Sequence, residues 1–231
     1  MKNILITGHK GFIGTHLWNH WTNKYQLTGF DKGNVLPDEY FDVVVHLAAL
    51  SGVRESWKNP LGYFNNNVLL SHKVFNKYKK VIYASSSTAK EPWRNPYALS
   101  KRTVEAIAPA NSLGVRLTTV YGPNSRKNMF LTRLIEGRLG YVNADCSRDF
   151  IHVDDVLRFF DIAVESEATG VINVGTGTSV AVADLAPANI TRKTAPFFEM
   201  KDNRANVEAA RALGFQAAHD VRTYIKEQMD G

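Results

Sequence analysis

The stretch Asn3-Ile4-Leu5-Ile6-Thr7-Gly8-His9-Lys10-Gly11-Phe12-Ile13-Gly14 decides the fold. A short apolar run ends on a glycine turn, and helical spacing begins at Phe12. Gly8 suits the tight turn from strand to helix, Gly11 lets backbone approach a pyrophosphate, and Gly14 lets the helix pack on a sheet. The free N–H groups of that helix start then receive phosphate, with His9 and Lys10 in the turn facing either phosphate or solvent. Asp31 follows 17 residues after Gly14, at the end of the next apolar run. A carboxylate there accepts ribose hydroxyls and repels a 2′-phosphate, so NAD is the expected cofactor, although Lys32 leaves room for NADP.

Working outward, apolar runs alternate with amphipathic stretches, as in parallel sheets covered by helices. Expected strands are Asn3–Thr7, Gln26–Phe30, Val43–Leu47, Val81–Ser85, Val115–Val120 and Val171–Val174. Expected helices are Phe12–Asn23, Pro60–Tyr78, Tyr97–Ala108, Asn128–Glu136 and Val153–Glu165, then Asn203–Leu213 and Val221–Met229 beyond the regular rhythm. The fold class is α/β: a shortened, Rossmann-type doubly wound parallel sheet with a small C-terminal substrate-binding lobe. The dinucleotide-binding core is expected over 1–123, rejoined by 148–177, with 124–147 and 178–231 in the lobe.

Composition agrees with this class. The 231 residues are 44% apolar and 22% charged, which argues against disorder. A membrane helix needs about 20 apolar residues and no such run exists, nor does the N-terminus resemble a signal peptide, so a cytoplasmic protein is expected. The one cysteine, Cys146, excludes an internal disulfide and a cysteine-built metal site, and no metal ligand set is read. Lys and Arg exceed Asp and Glu by 6, which suits an anionic small molecule; the charges are scattered, and no nucleic-acid or membrane partner is expected.

Tyr97 and Lys101 lie four apart, on one helix face. A phenol of ordinary pKa about 10 is a poor base, and a neighbouring ammonium with a nicotinamide cation favours the phenolate. Upstream, Ser85-Ser86-Ser87-Thr88 close a strand where open α/β sheets bind ligands, and a serine there can orient a substrate hydroxyl toward Tyr97.

Together these blocks resemble the extended short-chain dehydrogenases/reductases of the nucleotide-sugar epimerase/dehydratase family. The matching pieces are Gly8…Gly11…Gly14, His46-Leu47-Ala48-Ala49, Tyr83-Ala84-Ser85-Ser86-Ser87, Tyr97…Lys101 and Val120-Tyr121-Gly122-Pro123. Arg148-Asp149-Phe150-Ile151-His152-Val153-Asp154-Asp155, Asn173-Val174-Gly175-Thr176-Gly177 and Leu213-Gly214-Phe215 follow in family order. Three features resemble UDP-glucuronate 4-epimerases: Leu47-Ala48-Ala49-Leu50-Ser51-Gly52-Val53-Arg54, Thr119 before Val-Tyr-Gly-Pro, and Arg126-Lys127-Asn128-Met129.

The resemblance implies an NAD-dependent isomerase of carbohydrate metabolism, epimerising C4 of a UDP-linked sugar through a 4-keto intermediate. Tyr97, Lys101 and Ser86 would be catalytic, with Ser87 the alternative orienting hydroxyl. Gly8, Lys10, Gly11, Phe12, Ile13, Gly14, Asp31, Leu47, Ala48 and Ala49 would join Tyr97 and Lys101 around the cofactor. Arg54, Ser86, Ser87, Thr119, Arg126 and Arg148 would touch substrate, Arg126 at the sugar carboxylate and Arg148 at the diphosphate. Arg126 is alternatively a solvated loop residue, and Arg148 an ion-pair partner of Asp154 or Asp155. His152, Asp154 and Asp155 are expected to cap the following helix. Family dimers pair through the catalytic helix, which is expected to end early here, near Pro109, so whether the chain forms a homodimer is left open.

Two departures stand out. Only 14 residues separate Asp31 from His46, too few for the strand and helix that usually stand there and supply an adenine contact. Only 10 separate Ser86 from Tyr97, so the chain must turn straight into the catalytic helix. The readings left open are a 4-keto-sugar reductase, a UDP-glucuronate decarboxylase, or a non-catalytic NAD-binding sensor or RNA-binding module.

Overall fold

The computed structural model describes residues 1–230. Strand β1 (Asn3–Thr7) passes through the glycine turn into α1 (Phe12–Trp21) and β2 (Gln26–Phe30). An irregular stretch leads to β3 (Val43–His46), α2 (Val53–Lys58), α3 (Pro60–Tyr63), a π-helical turn over Phe64–Leu69 and α4 (Leu70–Lys77). Next come β4 (Val81–Ser86), α5 (Pro96–Ile107), β5 (Leu113–Leu117), β6 (Thr119–Tyr121), α6 (Phe130–Ile135), β7 (Tyr141–Asn143), β8 (Ser147–Arg148) and β9 (Phe150–His152). The chain ends with α7 (Val153–Glu165), β10 (Gly170–Val174), β11 (Val180–Ala181), α8 (Val182–Leu185), β12 (Thr191–Lys193), α9 (Glu208–Ala212) and α10 (Val221–Asp230).

Six strands form one parallel sheet in the order β2-β1-β3-β4-β5-β10. The runs Ile4-Leu5-Ile6 and Val43-Val44-Val45 are fully buried because helices cover both faces. Successive side chains alternate between those faces. Ile4 and Ile6 join Leu17, Trp21, Phe159 and Phe160 from α1 and α7, whereas Leu5 and Val44 join Val74, Phe75 and Val104 from α4 and α5. β2 is an edge strand. In the full doubly wound order another strand would flank it, and the short 31–42 connection cannot supply one.

A third core, with Tyr121, Leu131, Leu134, Val142, Phe150, Val182 and Val221, lies under β7, α6 and α10. The stretch 178–231 does not belong wholly to it: Ala210 and Phe215 pack into the first core instead. Asp155 explains part of this path. Its fully buried carboxylate accepts the Ala218 and His219 N–H groups at 3.0 Å each and Arg158 Nη1 at 2.8 Å, tying the segment before α10 to α7. The helix cap itself comes from His152, whose Nδ1 accepts the Asp154 N–H at 3.2 Å. Among the described residues no helix is long and apolar enough to cross a membrane.

Three expected elements differ, each for a hydrogen-bonding reason. Val115–Val120 is two strands, because the Thr118 N–H bonds Val174 O while the Thr119 N–H bonds Asp149 O, which moves the chain from the main sheet to β9. Pro60–Tyr78 carries the π-helical turn, which aims Asn67 into the interior. Asn203–Leu213 is helical only over Glu208–Ala212, since Asn203 and the Ala205 N–H are spent on the Asp149 backbone and side chain. Helices α2 and α8 and the short strands β7, β8, β9, β11 and β12 have no counterpart among the expected elements.

Candidate active site

The carboxyl ends of β1, β3, β4 and β5 open onto a cleft of two joined compartments, each about 540 Å³. The first is lined by Gly8, Gly11, Phe12, Ile13, Gly14, Leu47, Ala49, Ser86, Ser87, Tyr97 and Lys101. The second holds Arg54, Lys127, Arg133, Tyr141 and Cys146, and Thr119, Arg126, Arg148 and Glu199 stand at the junction, lining both.

Backbone crowding explains the glycine turn. Gly8 adopts φ +75°, and a Cβ there would stand 2.7 Å from Ala48 N, so only glycine lets the turn after β1 meet the turn after β3. Ala48 thus backs the first compartment rather than lining it. Lys10 is exposed; its N–H and that of Lys32 donate to the two Asp31 oxygens at 3.1 and 2.8 Å. Asp31 lies at the end of β2, beyond the lining residues, and each of its oxygens keeps a lone pair for a ribose hydroxyl. The bare glycine backbone, a helix start and Asp31 form a cradle that fits a dinucleotide.

Helix α5 begins with Asn95, whose side chain accepts the Ala98 N–H at 2.8 Å, and Pro96 occupies its first turn. That start brings Tyr97 to the cleft wall. Burial raises the Tyr97 pKa, while the Ser86 hydroxyl and the Arg126 guanidinium pull it down. Ser86 Oγ also pairs with Thr88 Oγ1 at 2.9 Å, whereas Ser87 is 3% exposed and accepts Asn203 Nδ2 at 3.2 Å. The Tyr63 ring meets Tyr97 edge-on at 6.1 Å, and its hydroxyl donates to Ser51 O.

Lys101 lines the same compartment as Tyr97. Its ammonium donates to Ala84 O at 2.9 Å rather than to the phenol, and burial lowers its pKa to about 8, with Glu105 opposing. Glu105 lies one turn further along α5, where its almost fully buried carboxylate receives Arg116 at 2.7 and 2.6 Å, Ser85 Oγ at 2.5 Å and Arg102 at 3.2 Å. A bidentate guanidinium of this kind is a strong anchor. It ties α5 to β5 through Arg116, and Ser85 adds the tie to the end of β4.

A second buried network sits beneath. His46 Nδ1 pairs with Thr7 Oγ1 at 2.7 Å and Nε2 with Ser71 Oγ at 2.9 Å; burial keeps the ring neutral, with a pKa near 3. Ser71 donates to Asn67 O, and Asn67 holds Leu50 through both backbone groups and Ser100 Oγ at 2.9 Å. Ser100 in turn donates to Tyr97 O at 2.8 Å. Asn67, Ser71 and Glu105 were missed in the sequence; two polar residues four apart on a buried helix face were the available signal.

On the substrate side, Arg54 Nε donates to Glu199 Oε1 at 3.1 Å and Arg148 Nη2 to Glu199 Oε2 at 3.3 Å. Arg148 thus pairs with Glu199 and not with Asp154 or Asp155. Thr119 Oγ1 accepts Asn203 Nδ2 at 3.0 Å, and Arg126 Nη1 donates to Ser51 O at 3.2 Å. Glu199 lies in an aperiodic stretch with no motif, so nothing local announced it. His152, Asp154 and His219 are grouped closely enough to share a metal ion, yet none lines the cleft and the His152 Nδ1 is spent on its helix cap.

Comparison with known proteins fits this geometry. A model of the NAD dependent epimerase/dehydratase family matches residues 4–175. UDP-glucuronate 4-epimerase 3 of Arabidopsis thaliana is 26% identical over 323 aligned positions, which take in 97% of this chain and 75% of that protein. A dTDP-D-glucose 4,6-dehydratase of Dictyostelium discoideum is 26% identical over 266 positions, covering 80% of this chain. The chain spans 61% of that dehydratase's length. The structure of MoeE5 in complex with UDP-glucuronic acid and NAD superposes with a TM-score of 0.86 at 28% identity, covering 99% of this chain and 98% of the other.

Proposed function

We propose that this chain, which belongs to the NAD dependent epimerase/dehydratase family, inverts C4 of a nucleotide sugar bearing a carboxylate on C5, with UDP-glucuronate the expected substrate. Arg126 carries this reading. Its guanidinium lines both compartments, shares the first with Tyr97, and lowers the phenol's pKa through its charge. A uronate places its carboxylate one carbon away from C4, and a planar guanidinium suits a bidentate carboxylate contact.

NAD, when bound, supplies a reversible hydride acceptor for C4. Gly8, Gly11 and Gly14 would hold its pyrophosphate, Asp31 a ribose and Lys101 the nicotinamide end. Tyr97 as phenolate takes the C4 hydroxyl proton and returns it after the sugar has turned over. Ser86 orients that hydroxyl. Arg54 and Arg148 grip the diphosphate, the tether about which the sugar rotates between faces. Arg126 keeps the carboxylate out of the alignment in which a β-keto acid loses carbon dioxide. The dehydratases of the family this chain resembles carry an Asp-Glu pair directly after the orienting hydroxyl, and Ser87 and Thr88 stand there in this chain, which favours epimerisation over elimination.

Purified protein incubated with UDP-glucuronate and NAD should yield UDP-galacturonate on anion exchange. A UDP-pentose product would mean decarboxylation, and unchanged substrate with no UDP binding would overturn the reading.

A further inference from the structure

We propose that Glu199 is a displaceable counter-ion: it holds Arg54 and Arg148 together until the substrate diphosphate takes both guanidiniums, and its charge sets the nucleotide affinity of the cleft. This rests on the nucleotide-sugar reading above.

Arg54, Arg126, Lys127, Arg133 and Arg148 line the second compartment against only two carboxylates, Glu55 and Glu199. The Glu199 side chain is 13% exposed and the Arg148 side chain 17%, so their pairing is only thinly screened by water. The Arg54 side chain is 45% exposed, so water screens part of its charge, and without a counter-ion the remaining repulsion falls on the more buried Arg148. A diphosphate in the same place brings two negative charges, one on each phosphate, and a carboxylate left between the same guanidiniums is a like charge beside them. One anion must therefore leave.

Both arginines are built to change partner without moving. Arg148 Nη1 stays fixed to Ser147 O at 2.8 Å while only Nη2 reaches Glu199. Arg54 lies over the Tyr141 ring at 5.7 Å, a contact independent of Glu199. Glu199 itself sits in the irregular segment between β12 and α9, with no helix or strand to hold its side chain in place. That segment is moored through the Phe197 and Phe198 carbonyls to Arg94 and Asn95, just before Tyr97.

The test is calorimetric titration of the full chain with UDP, and with uridine as an uncharged probe. Glu199→Gln keeps the size and one acceptor but removes the charge, and should tighten UDP binding about tenfold while leaving uridine unchanged. Glu199→Ala should shift UDP affinity in the same direction, which keeps the test open if the first variant folds poorly. UDP affinity unchanged or weakened in the variants, or uridine tightened equally, would overturn the assignment while the nucleotide-sugar reading survives. Wild-type protein that binds no UDP would remove both.

Discussion

Replacing Lys101 by methionine should make the protein more stable and catalytically idle. The ammonium is 6% exposed with one carbonyl partner, and burial lowers its pKa from 10.5 to about 8. Below both values the unfolded chain gains more from protonation than the native state does. A shift of roughly 2.5 units corresponds to about 3 kcal/mol of destabilisation at pH 7. Loss of the bond to Ala84 O returns about 1 kcal/mol, leaving a net gain of about 2 kcal/mol, or a Tm rise of roughly 4–8 °C for a chain of this size. The sign follows from linkage. Because the folded pKa is depressed, the wild-type penalty fades as pH rises from about 8 toward 10.5, so the difference between the proteins should nearly vanish by about pH 9.5. Urea denaturation of both proteins at pH 7 and pH 9.5, alongside a turnover assay, reads all of this. Turnover should fall at least about 100-fold. A variant no more stable than wild type at pH 7, or a difference that does not change with pH, would refute the reasoning that a buried, under-compensated ammonium is kept for function.

Gly8→Ala forces a Cβ to 2.7 Å from Ala48 N at φ +75°, and should cost about 2–4 kcal/mol in chemical denaturation; wild-type stability would mean the two turns can separate freely. Asp155→Asn presents an amide N–H to donors that need an acceptor, and should cost about 2–3 kcal/mol with faster hydrogen exchange at Ala218 and His219. Unchanged exchange there would show that another contact holds the segment. Arg126→Ala removes a cation that lowers the Tyr97 pKa, so the alkaline rise of the pH–rate profile should move to higher pH, with a UDP-pentose among the products; a profile that stays put would separate Arg126 from the phenol.

Much of the fold could be read locally. The glycine turn after Thr7 has few backbone solutions, the apolar runs mark strands covered on both faces, and the 3.6-residue spacing of Val153–Glu165 matches α7 end to end. The family blocks likewise point to Tyr97, Lys101 and Ser86, because each occupies a fixed place relative to a strand end or a helix start. What escaped is what depends on partners far along the chain. Whether residues 115–120 continue one strand or switch sheets is decided by Val174 O and Asp149 O, more than 25 residues downstream. Lys101 meets Ala84 O because Glu105 ties α5 to Ser85 at the end of β4 and to Arg116 of β5. Glu199 meets Arg54 across 145 residues, a separation at which no spacing rule applies. Local stereochemistry and periodic burial set the elements; the pairing of charges and hydrogen bonds inside the cleft arose only when packing removed water from between distant side chains.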